Sequence, residues 1–146
     1  MRVKHFVLSL LIATAVAAGA QAAAPTPGAA PASKPADRPA VPALSPTELD
    51  AALAAEGWLV VEFGGESCIP CRAMQPILQD LQVALGAKGK VHNFWVQQHM
   101  DTSRRFKIII MPTQIVFDPK GVEVYRHQGF LEKDVLFTVM TGLGAI

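Results

Sequence analysis

The chain has 146 residues, about the size of one domain, and a formal net charge of +1 at pH 7, from 13 Lys and Arg against 12 Asp and Glu. No run of basic residues stands out against this near-neutral balance. A surface that binds nucleic acid needs such a concentration of positive charge, so we expect no nucleic acid partner.

The first 22 residues have the pattern of an export signal. Arg2 and Lys4 form a positive start, an apolar run follows over 6–18, and the tripeptide at 20–22 (AQA) fits a cleavage site of the A-x-A type. The sequence therefore predicts a signal peptide over 1–22 and a secreted, periplasmic protein. The apolar run is shorter than the roughly 20 residues that span a bilayer, so anchoring by an uncleaved signal is the less favoured alternative.

A segment rich in alanine and proline follows over 23–43. Such a composition offers little surface to bury and favours extended polyproline conformations, so we interpret it as a linker. The folded domain is then expected over 44–146.

The domain opens with a helix and a strand. Ser45, Pro46 and Glu48 combine a capping residue, a proline suited to the first helical turn and the acid of an S-x-x-E capping box. The run from Trp58 to Phe63 (WLVVEF) is apolar and rich in strand-forming residues, which predicts a buried strand. Gly64 and the glycine after it end this strand.

After the cysteines, the pattern alternates between helix and strand. Spacings of three and four residues predict an amphipathic helix that carries Pro76 inside it and should bend there, with one apolar stripe formed by Cys71, Met74, Leu78, Leu81 and Leu85. The elements predicted beyond it are a strand over 91–96, a short helix over 101–106, strand-forming runs over 108–111 and 113–117, a turn over 118–121, a strand over 122–127 and a last helix with Val135, Leu136, Val139, Met140 and Leu143 on one face. This order predicts an α/β fold, a central mixed β-sheet flanked by helices on both faces.

The two cysteines lie as Cys68-Ile69-Pro70-Cys71. A structural disulfide across so short a loop would remove little entropy from the unfolded chain, so chemistry is the better explanation. A zinc site is the other alternative, but one C-x-x-C supplies two ligands, and the histidines at 92, 99 and 127 lack the spacing that would complete it.

Several motifs together resemble the thioredoxin family. The segment CIPCRAMQPIL is similar to the family's C-x-P-C active site and kinked helix, the strand VVEF precedes it, and Met111-Pro112-Thr113 is similar to the family's cis-proline loop. The resemblance covers about 45–146 and implies the thioredoxin fold. Three positions depart from the family pattern: Ser67 where many members have Trp, Ile69 in place of the commonest Gly, and Asn93 where a lysine often neighbours the buried acid.

The chemistry of thiol–disulfide exchange suggests a role for each cysteine. Cys68, at the start of a helix, would face backbone N–H groups that stabilise a thiolate, with Arg72 nearby, so we expect it to be the nucleophile. Cys71 would point to the core and resolve the mixed disulfide. The resemblance places Glu62 beneath Cys71, where burial would raise its pKa and let it relay a proton; the alternative is a side chain in solvent at a sheet edge.

The resemblance also implies how substrates bind. Pro112 would be cis, with the backbone of Met111 and Thr113 beside the cysteines, ready to pair with an extended substrate segment. Ile69 and Pro70, between the cysteines, complete the expected substrate-binding set.

The leading hypothesis is a periplasmic dithiol reductase of protein disulfides, fed by a membrane electron carrier of the DsbD/CcdA type, as some exported members are. An oxidant that introduces disulfides would use the same residues. A third alternative, of another class, is a non-catalytic thioredoxin-like module that holds a metal or a partner. We expect a monomer, and no sequence feature indicates a small-molecule cofactor.

Overall fold

The computed structural model describes residues 40–146. The predicted signal peptide and most of the predicted linker lie outside the described residues. Within residues 40–146, no helix has both the length and the apolar character needed to cross a membrane.

The elements follow the predicted order. They are α1 Pro46–Ala54, β1 Trp58–Gly64, α2 Ile69–Leu85, β2 Gly89–Trp95, α3 Met100–Arg105, β3 Thr113–Phe117, β4 Glu123–Gln128 and α4 Lys133–Gly142, with 3₁₀ turns over Gly86–Lys88 and Val96–Gln98. The capping box at the start of α1 is confirmed, because the Ser45 hydroxyl accepts from the Glu48 amide and the Glu48 carboxylate accepts from the Ser45 amide. Pro76 lies inside α2, as expected.

The sheet has four strands in the order β2-β1-β3-β4. β1 and β2 are parallel, whereas β1–β3 and β3–β4 are antiparallel. The predicted mixed sheet of the thioredoxin fold is therefore confirmed, and β1 lies inside it rather than at an edge. A single parallel bridge, from Ala43 to Asn93, extends the outer side of β2.

Alternate residues of β1 face two separate hydrophobic cores. On one face Val60 packs with the inner stripes of α2 and α4, including Leu78 and Met140. On the other face Val61 and Phe63 belong to a second cluster, which Leu49 joins from α1. Helices therefore cover both faces of the sheet, and position 62, two residues from Val60, faces the α2 side.

The prediction of a strand over 108–111 is wrong. β1 ends at Gly64, and its neighbour Phe63 already pairs with Thr113, so no partner strand remains for the residues before Pro112. The Ile108 amide donates instead to the Ser103 carbonyl at the end of α3, at 3.0 Å. The segment forms a loop in which Ile108 packs, partly buried, against the second cluster, whereas Ile109 and Ile110 are exposed.

Candidate active site

Cys68 and Cys71 are joined by a disulfide at the N-terminus of α2. Cys68 is the N-cap residue, and its Sγ accepts a hydrogen bond from the Cys71 amide at 3.3 Å. Pro70 lies in the first helical turn, where its missing N–H leaves no backbone bond unmade. Because free helix N–H groups and the positive end of the dipole favour negative charge, a reduced Cys68 would be stabilised here as a thiolate.

The two cysteines differ in access to solvent. Cys68 is half-buried, whereas Cys71 is 1 % exposed and belongs to the inner stripe of α2. Only Cys68 can meet the sulfur of another protein without a rearrangement of the helix. The geometry therefore agrees with an outer, attacking cysteine and an inner, resolving one.

Glu62 is buried in the strand that leads to the cysteines. It is 0 % exposed, and neither carboxyl oxygen has a hydrogen-bond partner within residues 40–146. Burial alone raises its pKa from 4.5 to about 8. The alternative of a solvent-exposed acid at a sheet edge is wrong, because β1 is an inner strand.

Gly64 leaves room for this carboxyl. A Cβ at position 64 would lie 2.6 Å from Oε1 and 2.8 Å from Oε2 of Glu62, closer than a side chain can approach without displacing one of them. Gly64, the last residue of β1, is thus more than a strand terminator, which is the only role that the sequence pattern suggested for it.

Asn93 occupies the position where many family members have lysine, and it brings no charge to Glu62. Its side chain forms a reciprocal amide pair with Gln75 of α2, at 3.0 and 3.1 Å, and also donates to the Val41 carbonyl at 2.9 Å. The absence of a neighbouring cation at this position agrees with a pKa of Glu62 that burial alone raises.

The peptide bond between Met111 and Pro112 is cis, as predicted. Thr113 is buried, and its hydroxyl donates to the Ile110 carbonyl at 2.7 Å. Gly129, at φ 97°, donates its amide to the Pro112 carbonyl at 2.7 Å, which ties the loop to the end of β4. This left-handed backbone favours glycine at position 129.

The sheet brings the cis-proline loop and the cysteine loop to the same end. The cysteine loop follows the last residue of β1, and the cis-proline loop precedes the first residue of β3, Thr113, which pairs with Phe63. Because these strands are antiparallel, the end of one lies beside the start of the other.

Apolar side chains at this end of the molecule are exposed. Ile69 is 72 % exposed between the cysteines, Ile109 and Ile110 are 84 % and 49 % exposed before the cis proline, and Phe130 is 40 % exposed after Gly129. We call these four residues the apolar rim. Ile69 was predicted to bind substrate, but the other three were not. For Ile109 and Ile110 the reason is that a run of isoleucines is equally typical of a buried strand.

Comparisons with known proteins agree with this geometry. The sequence pattern described as Thioredoxin matches residues 40–142. Thioredoxin from Bacillus subtilis (strain 168) is 28 % identical over 86 residues, which cover 59 % of this chain and 82 % of that protein. Thioredoxin from Rhodospirillum rubrum is 33 % identical over 85 residues, or 58 % of this chain and 81 % of that protein. The solved structure of chloroplastic thioredoxin z superposes with a TM-score of 0.66 at 23 % identity, covers 73 % of this chain and 96 % of that one, and bears on the fold alone.

The family match spans most of the chain, and it includes both cysteines, Glu62 and the cis-proline loop. The chain belongs to the thioredoxin family and is an oxidoreductase with a redox-active cysteine pair.

Proposed function

We propose that the protein is a periplasmic dithiol reductase of protein disulfides, which receives its electrons from a membrane carrier of the DsbD/CcdA type. The observation that carries the proposal is the asymmetry of the cysteine pair. Cys68 caps a helix and is partly accessible, whereas Cys71 is 1 % exposed. This arrangement suits attack by one sulfur and resolution by the other.

The proposed reaction transfers two electrons. The Cys68 thiolate attacks one sulfur of a substrate disulfide, breaks that bond and forms a mixed disulfide, while the released substrate sulfur takes a proton from solvent. The Cys71 sulfur then gives up its proton and attacks Cys68, which releases the second substrate thiol. The product is the Cys68–Cys71 disulfide together with a reduced substrate dithiol, and the membrane carrier would return the pair to the dithiol state.

Glu62 is the proposed acceptor of the Cys71 proton. With a pKa of about 8, its carboxyl is ionised in about one molecule in ten at pH 7 and exchanges its proton near neutral pH. A carboxyl with the ordinary pKa of 4.5 would hold a proton too weakly to return it. Burial therefore suits Glu62 to a relay in the resolving step.

Substrates would bind at the end of the sheet that carries both loops. The backbone of Met111 and Thr113 can pair with an extended segment, a mode that recognises main chain rather than sequence. Pro70 and Pro112 restrict the backbone conformation of the two loops. The apolar rim would contact apolar side chains that flank the substrate disulfide. Such a surface suits protein substrates of varied sequence.

The periplasmic location and the membrane carrier rest on the sequence. The charged start, the apolar run and the AQA site over 1–22 support export, and the resemblance to exported family members supports the carrier. Among residues 40–146, no cluster of three or more His, Cys, Asp and Glu side chains could hold a metal ion.

Glu62→Gln tests the relay. We expect release from a preformed mixed disulfide to slow about tenfold or more at pH 7, because the amide cannot accept the Cys71 proton. Stopped-flow measurement of thiol release reports this step, and the rate of the first attack by Cys68 serves as the internal control. Equal release rates in the two proteins would remove Glu62 from the mechanism.

A further inference from the structure

Three neighbouring strands each place one polar side chain at the same level of the sheet. Glu62 on β1 has Asn93 on β2 and Gln114 on β3 as its register partners. All three are buried, at 0 %, 2 % and 0 % exposure. Register partners on adjacent strands project to the same face with Cβ atoms about 5 Å apart, so these side chains form a polar layer within the α2-side core.

The side-chain amide of Asn93 forms its hydrogen bonds with residues outside this layer. Its Oδ1 accepts from Gln75, and its Nδ2 donates to Gln75 and to the Val41 carbonyl. Both hydrogens of the amide are used. It therefore has no donor left for the carboxyl of Glu62.

The side-chain amide of Gln114 forms a hydrogen bond through its nitrogen but not through its oxygen. Its Nε2 donates to the Gly129 carbonyl at 3.2 Å, whereas its Oε1 is buried without a hydrogen-bond partner among the described residues. The Gly129 amide is itself bonded to the Pro112 carbonyl. These bonds fix the orientation of the side-chain amide, because a flipped amide would turn its oxygen towards the Gly129 oxygen.

The two unsatisfied groups of the layer are chemically complementary in one protonation state only. A neutral carboxyl carries one O–H donor, which matches the acceptor Oε1 of its register partner. An ionised carboxylate would oppose one acceptor with another at a place where both side chains are buried from solvent. Buried polar groups are rarely left without partners, so the arrangement favours the neutral acid.

We propose that Gln114 is a positioning residue, which accepts a hydrogen bond from the protonated carboxyl of Glu62 and so helps this acid to hold its proton. The bond extends a chain of contacts from Glu62 through Gln114 and Gly129 to the cis Pro112. The consequence for turnover rests on the proposed relay, but the hydrogen bond itself does not.

Other titratable and charged groups lie on the elements that pack against this face. On the helices, Cys71 is held in the disulfide, Asp80 of α2 pairs with Lys133 of α4 at 2.9 Å, and Arg72 and Asp134 are exposed. On β4, His127 is the register partner of Gln114, with its Nε2 3.2 Å from the Phe130 carbonyl oxygen, and Tyr125 is partly buried against the same core.

Gln114→Leu tests the proposal through the pKa of Glu62. In the oxidised full chain, where no turnover takes place, a carbon-13 NMR titration of the Glu62 carboxyl measures this pKa. We expect it to fall by about 0.5 to 1 in the variant, since a hydrogen bond to the neutral form is lost. A purely structural role predicts the opposite direction, because leucine makes the surroundings of the acid more apolar.

Two further variants complete the test. Gln114→Met keeps the length of the side chain without its acceptor, so the pKa of Glu62 should fall there as well, even if leucine disturbs the packing. The double variant Gln75→Leu, Asn93→Leu removes the reciprocal amide pair on the other side of the layer, and the pKa of Glu62 should not fall. A pKa of Glu62 that stays unchanged or rises in both Gln114 variants would overturn the proposal. Because disulfide exchange is not measured, failure of the proposed function would not affect this result.

Discussion

Cys68→Ser is expected to abolish disulfide reduction, with a loss on the order of 10³-fold or more, because a serine hydroxyl cannot supply the thiolate that attacks a disulfide. Cys71→Ser should behave differently. Its Cys68 keeps its place at the start of α2 and can still attack, but the buried partner that resolves the product is gone. The covalent mixed disulfide should then accumulate.

The measurement is a comparison of the two matched variants. Each reduced protein is mixed with a small disulfide-bonded protein, quenched with acid and analysed by intact-protein mass spectrometry. The adduct should form with Cys71→Ser, and a thiol should release it. Adduct formation by Cys68→Ser and not by Cys71→Ser would exchange the roles assigned to the two cysteines.

The second large effect concerns stability rather than activity. The pKa of Glu62 is about 8 in the folded protein, above its ordinary value of 4.5. Between these two pH values the folded state keeps a proton that the unfolded chain has lost. The free energy of unfolding should therefore fall as pH rises through this window, by up to about 1.4 kcal/mol per pH unit and on the order of 5 kcal/mol in all.

Glu62→Gln should remove this dependence, since the amide does not titrate. Burial also lowers the pKa of His92 below 6.5, which adds stability as pH rises, so the comparison with the variant is needed to isolate Glu62. Urea unfolding of both proteins between pH 5 and pH 9 measures the difference, with the disulfide kept intact. Parallel stability profiles would show that the carboxyl does not hold its proton in the folded state.

Local signals in the sequence were sufficient to predict most of the fold. The capping box at Ser45, the apolar strand WLVVEF and the stripe along α2 each depend on residues close together in the chain, and each predicted its element within a few positions. The C-x-P-C motif likewise gave the outer and inner cysteines, because a helix that starts at Cys68 turns the residue at 71 inwards.

The loop over 108–111 shows the limit of such signals. Three consecutive isoleucines favour a strand, but a strand also needs a partner, and β1 ends too early to provide one. Ile109 is exposed instead, at the end of the sheet that carries both loops. The structure of this segment was therefore decided by pairing between strands that are distant in the sequence.

The polar layer could not be predicted from the sequence for a similar reason. Glu62 stood out because a carboxylate in an apolar strand is costly to bury, but Gln114 is an unremarkable strand residue until the β1–β3 register places it opposite the acid. Asn93 was noted only as a departure from the family lysine. Its partners, Gln75 and Val41, come from a helix and from the segment expected to be a linker.

The most direct test of the proposed direction of electron flow is the reduction potential of the Cys68–Cys71 pair, measured by equilibration of the protein with defined thiol–disulfide buffers. A reductase fed from the membrane should have a value near that of thioredoxin, about −270 mV. A value near about −120 mV would mean that the reduced pair is strongly stabilised and that the protein introduces disulfides, in contradiction to the proposed function.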